Sequence, residues 1–143
     1  MKETIKCFDL NLVNMEFYTP EKCFIIELSN TPNDPEVSIA RARVAPGVTT
    51  RWHRIKETAE RYVILEGRGR VEIGDLAPQE IETADVVLIP PSCPQRITNI
   101  GHEDLIFLAI CSPRFTNEAY EDIEGEKDSS GKRFKLPTLP PPE

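Results

Sequence analysis

Residues 46–67 read PGVTTRWHRIKETAERYVILEG. Two short extended runs, separated by the polar KET turn, end on a glycine. Side chains alternate between the two faces of a strand, so Arg51, His53 and Ile55 share one face of the first run. Glu60, Tyr62 and Ile64 share one face of the second. Each set mixes polar and apolar groups. A glutamate on an otherwise apolar inward face is costly unless it is paired or coordinated, so this stretch is both a fold signal and a candidate site.

The flanking sequence repeats the pattern. CFIIEL (23–28), VSIARARV (37–44), RYVILEG (61–67), GRVEIG (69–74), DVVLIP (85–90), QRITNI (95–100) and LIFLAICS (105–112) are β-branched or apolar runs of strand length. TPNDP, APG, EGRG, GDLAPQ, IPPSCP and NIGHED lie between them as turn signals. Short strands at regular spacing predict an all-β sandwich or barrel rather than βαβ units. Gln95, Ile97 and Asn99 share a face of a later strand, which brings a third polar group toward His53 and Glu60. Residues 1–116 are expected to form one barrel, and residues 117–143 a tail. The tail is polar and then proline-rich, and is expected to be extended or to pack on the barrel or on a partner. Its start, NEAYEDIE, contains good helix formers and allows a lone helical turn near Asn117–Ile123.

The chain has 143 residues and a formal net charge of -7, enough for one domain with a single core. This acidic balance argues against nucleic acid or an anionic membrane as partner. No stretch approaches the apolar length of a membrane span, and the N-terminus carries no apolar signal core, so a cytoplasmic protein is expected. Cysteines at 7, 23, 93 and 111 form no CxxC pair and are expected to be reduced, mostly as buried small hydrophobes.

The stretch from Gly47 to Gly67 resembles the first motif of the cupin superfamily, G-x5-H-x-H-x4-E-x6-G. His53, Glu60 and Gly67 fall on motif positions, and Ile55 stands where the second histidine would be. ADVVLIPPSCPQRITNIG (84–101) resembles the second motif, P-x-G-x2-H-x3-N. There Pro90 and Asn99 match, Ser92 replaces the glycine and Gln95 replaces the histidine. The resemblance covers roughly residues 37–112. It implies an all-β double-stranded β-helix, the cupin or jelly-roll barrel, with an extended Pro-rich C-terminal tail.

For function, the resemblance implies a pocket inside the barrel. His53, Glu60 and Gln95 would be its metal ligands, for a divalent transition metal such as iron, manganese, nickel or zinc. Glu60 would double as the catalytic general base. Arg51, Tyr62 and Gln95 would bind a small organic substrate in an oxygenase, isomerase or lyase type of reaction, and Arg51, on the face of His53, could receive an anionic group of it. The alternative is a metal-free, non-catalytic pocket in which the same groups hydrogen-bond one another around a small ligand. Cys93 and Cys111 could each add a soft ligand, or be packed inert thiols. Trp52 alternates with His53 and is expected to face outward or into a subunit interface, and a homodimer is expected.

Overall fold

The computed structural model describes residues 7–10 and 15–125. The Pro-rich part of the tail therefore lies outside the described residues. Eleven strands follow in chain order: β1 Phe17–Tyr18, β2 Phe24–Ser29, β3 Ser38–Val44, β4 His53–Ile55, β5 Ala59–Glu66, β6 Arg68–Ile73, β7 Gln79–Glu82, β8 Val86–Ile89, β9 Gln95–Asn99, β10 Leu105–Ser112 and β11 Tyr120–Asp122. They form two antiparallel sheets, ordered β1-β2-β3-β10-β5-β8 and β11-β4-β9-β6-β7. The seven expected strands are all present within a residue or two of their predicted ends. Among the described residues no helix is long and apolar enough to cross a membrane.

Alternation decides which side chains fill the space between the sheets. Along β5, Glu60, Tyr62 and Ile64 are buried, and along β9 Gln95, Ile97 and Asn99 are. The core joins Val44, Ile64, Ile97, Leu105 and Phe107 from both sheets. Truncating such a residue to alanine costs about 2–5 kcal/mol through lost transfer energy and the cavity left behind.

Two turns show why the motif spacing matters. Gly67 closes the turn between β5 and β6 at φ +89°, and a Cβ there would stand 2.8 Å from the Asp104 carbonyl oxygen. Only glycine meets both conditions without strain. Ser92, at the second motif's glycine position, keeps a left-handed backbone at φ 61°. Its hydroxyl compensates by accepting the Glu57 N–H at 2.9 Å.

Asn99 works as a fastener. Its amide donates to the carbonyls of Val44 and Glu103, both at 2.8 Å, and its Oδ1 accepts the Gly101 N–H. Trp52 differs from expectation: it is buried within its own chain at 7% exposure, with the Arg96 guanidinium 4.6 Å over its ring. Residues 117–119 form turns rather than a helix, and β11 then adds to β4 as an edge strand. The hydrogen-bonding edge of β4 overrides the local helix propensity of NEAYED.

Candidate functional site

A cavity of about 410 Å³ opens between the sheets. β4 supplies His53 and Ile55, β5 Glu60 and Tyr62, and β10 Phe107, Ala109 and Cys111. The segment Phe17–Glu21 closes one side and Tyr120 of β11 another. On β3 it is Ser38, Ala40 and Ala42 that line the cavity. Arg41 and Arg43 lie on the opposite face and pair with Glu16.

The polar end is a connected chain of side chains. Gln95 Nε2 donates to Glu60 Oε1 at 2.6 Å, and the Tyr62 hydroxyl donates to Gln95 Oε1. The Cys111 thiol lies 3.6 Å from Glu60 Oε2. Strand pairing sets these contacts: Glu60 stands opposite Cys111 across β5 and β10, and His53 stands opposite Gln95 across β4 and β9. The Tyr62 ring also packs on Phe107, with centroids 4.4 Å apart.

Burial governs the ionisation of this group. Desolvation raises the Glu60 carboxyl above the usual carboxylate range, opposed by the charge of His53 and by the Gln95 hydrogen bond. The same desolvation raises the hydroxyl of Tyr62 and the thiol of Cys111. Cys111 is therefore a neutral thiol here, not a reactive thiolate. Cys93 is a buried free thiol raised by desolvation to about 11, and it does not line the cavity.

His53 is held by its Nδ1, 2.8 Å from the Arg51 carbonyl oxygen, and its Nε2 stands 3.5 Å from Glu21 Oε2. Its ring stacks on Tyr120 with centroids 5.3 Å apart. Glu21 and Tyr120 went unnoticed in the sequence. Glu21 sits in the turn before β2, where no alternation applies, and Tyr120 sits on a strand of only three residues.

Arg51 lies elsewhere. Its Nε binds Asp122 Oδ2 at 2.6 Å, and it is not among the residues lining the cavity. The parity argument fails there because β4 begins only at His53, and the backbone before it is not regular strand. Among the described residues no lysine or arginine lines the cavity, so Arg51 does not offer an anionic substrate a guanidinium there.

The groups at the family's ligand positions do not fit a divalent ion. Gln95 turns its N–H toward Glu60, and its one oxygen is taken by Tyr62. Both Glu60 oxygens already face donors, the Gln95 amide and the Cys111 thiol. Ile55 is buried in the wall with no lone pair to offer. Among the described residues no group of three or more His, Cys, Asp or Glu side chains is placed to hold a metal ion.

Two sheets closed around an internal site define a double-stranded β-helix barrel. Residues 40–111, half of the chain, match the Cupin domain family, and the chain belongs to it. An uncharacterized protein of Methanocaldococcus jannaschii is 37% identical over 87 residues, which cover 61% of this chain and 69% of the relative. The glucose-6-phosphate isomerase of Pyrococcus furiosus is 40% identical over 63 residues, 41% of this chain. The match spans only 33% of that enzyme.

Among solved structures, the nucleoside dehydratase Pac13 superposes with a TM-score of 0.69 at 13% identity, over 83% of this chain and 92% of its own. Oxalate decarboxylase from Bacillus subtilis gives 0.69 at 18% identity, over 79% of this chain and 31% of its own. These likenesses concern the fold. The relatives and neighbours include an isomerase, a dehydratase and a decarboxylase.

Proposed function

We propose that this cupin binds a small organic molecule in the barrel cavity and acts on it by metal-independent proton transfer, with Glu60 as the acid–base group. The observation that carries the reading is the enclosure of Glu60. Glu60 is buried at 6% exposure, borders the cavity, and its carboxyl is oriented by Gln95 and Cys111. Burial keeps the proton on Glu60 toward higher pH, which suits a group that both gives and accepts it. Gln95, fixed in turn by Tyr62, holds the carboxyl in one orientation. His53 borders the same space and offers a second polar contact for the substrate. An isomerisation or elimination needs only such proton movements at a bound carbon or oxygen.

The cavity does not support carrying over glucose 6-phosphate from the archaeal isomerase, because no lysine or arginine among the described residues meets it to receive a phosphate. Infrared difference spectroscopy tests the acid–base reading. A protonated carboxyl band should persist above the ordinary carboxylate range and disappear in Glu60→Gln. A Glu60 that titrates in the ordinary range sinks the proposal.

Self-association through the outer sheet face is proposed alongside. The edge strand β8 exposes Val86 and Leu88, at 54% and 66%, and an apolar edge of this kind invites a partner. A monomer in light scattering at micromolar concentration would refute it.

A further inference from the structure

The cavity lining is strongly one-sided in charge. Three acidic side chains, Glu21, Glu27 and Glu60, border it together with one imidazole, His53. Among the described residues it receives no side chain that is always cationic. Six aromatic side chains, Phe17, Tyr18, Tyr62, Phe107, Phe115 and Tyr120, form much of the remaining wall. Aromatic faces carry the negative side of the ring quadrupole and attract cations, more strongly where water is excluded.

A second observation points to a missing ligand group. Tyr120 belongs to the cavity wall, and its hydroxyl oxygen is buried without a hydrogen-bond partner among the described residues. Buried hydroxyls are nearly always satisfied by protein, water or ligand. This one lies on the ring that stacks on His53, beside the contact between His53 and Glu21. A polar group of an occupant could pair with it.

We propose that the cavity takes a small organic cation, an ammonium-bearing molecule whose charge rests between Glu21 and the aromatic rings. This rests on the reading of the cavity as a small-molecule site and adds the charge class of its occupant. An anion entering here meets the acidic side chain of Glu21 beside His53 and no side chain that is always cationic. A neutral molecule gains only apolar contact. An ammonium group gains carboxylate and ring attraction together, and the apolar part of the molecule covers Ile55, Ile97 and Ala109. The cavity size suits a molecule of small-metabolite dimensions.

Three molecules of one skeleton test the charge directly: choline, its neutral carbon isostere 3,3-dimethylbutan-1-ol, and the anion 3,3-dimethylbutanoate. Each is titrated at constant ionic strength while backbone amide NMR shifts of the cavity strands are followed. Choline should shift these amides and bind about tenfold more tightly than the alcohol, with the carboxylate weakest. Glu21→Gln should weaken choline several-fold and leave the alcohol unchanged. Equal or tighter binding of the alcohol or the carboxylate overturns the inference, as does absence of binding by all three at millimolar concentration. The infrared titration of Glu60 is independent of these outcomes, so a failure here is distinguishable from failure of the acid–base reading.

Discussion

The Gln95 side chain on β9 donates from Nε2 to Glu60 Oε1 on β5, a 2.6 Å hydrogen bond that ties one sheet of the barrel to the other. A residue at a position where the family motif carries a metal ligand here acts as a clamp. Tyr62 completes the clamp by donating to the amide oxygen; Glu60 and Tyr62 border the cavity, while Gln95 joins them without being among the residues that line it.

Breaking the clamp leaves buried polar atoms unpaired. Tyr62→Phe orphans the Gln95 oxygen, and Gln95→Ala orphans both the Tyr62 hydroxyl and one Glu60 oxygen. Each should destabilise the fold by about 1–3 kcal/mol in urea denaturation. The double variant should cost less than the sum, because the two changes remove one network. Full additivity would show that the residues do not act together.

Stability should depend on pH with a definite sign. Burial raises the carboxyls of Glu60 and Glu27 above their ordinary value of 4.5. Between that value and the raised one, the native state holds protons that the unfolded chain has released. Stability therefore falls as pH rises through this window and levels off above it. Thermal unfolding across pH should show this decline, and Glu60→Gln should flatten it, leaving the smaller slope due to Glu27. An unchanged slope in the variant would contradict the assignment.

The two motif turns should respond differently to substitution. Gly67→Ala adds a Cβ at φ +89° that meets the Asp104 carbonyl at 2.8 Å. It should cost at least about 1–2 kcal/mol. Ser92→Gly relaxes a left-handed residue but loses the hydroxyl that accepts the Glu57 N–H. Its net effect in denaturant should be small.

Arg51 separates the sequence expectation from the structure. Engaged with Asp122 outside the cavity lining, it should be dispensable for ligand binding. Arg51→Ala should leave the choline affinity unchanged and alter stability little, since exposed ion pairs contribute little. A marked loss of ligand affinity would place the guanidinium at the site after all.

The barrel was legible in the sequence because alternation is a local property. The inward set Glu60, Tyr62 and Ile64 and the inward set Gln95, Ile97 and Asn99 follow from parity within strands that are regular over five to eight residues. Arg51 escaped the rule because it precedes the regular part of β4, and Trp52 because its cover is Arg96, a residue distant in sequence. The walls built by Phe17–Glu21 and Tyr120 depend on how chain segments fold back onto the barrel, which no local pattern encodes. The charge of the cavity was hidden for the same reason. It required knowing that Arg41 and Arg43 turn outward while Glu21 turns in.

Under the proposed function, Gln95 and Ile55 make the family's metal-type position a hydrogen-bonded site that works without metal. The most direct test of this claim is metal content after repletion with iron, manganese, nickel and zinc, compared with the double variant Ile55→His/Gln95→His, which restores the family's ligand types. The wild-type chain should hold far less than one ion per chain, and the variant close to one. A stoichiometric ion in the wild-type protein, lost on His53→Ala, would contradict the metal-independent reading.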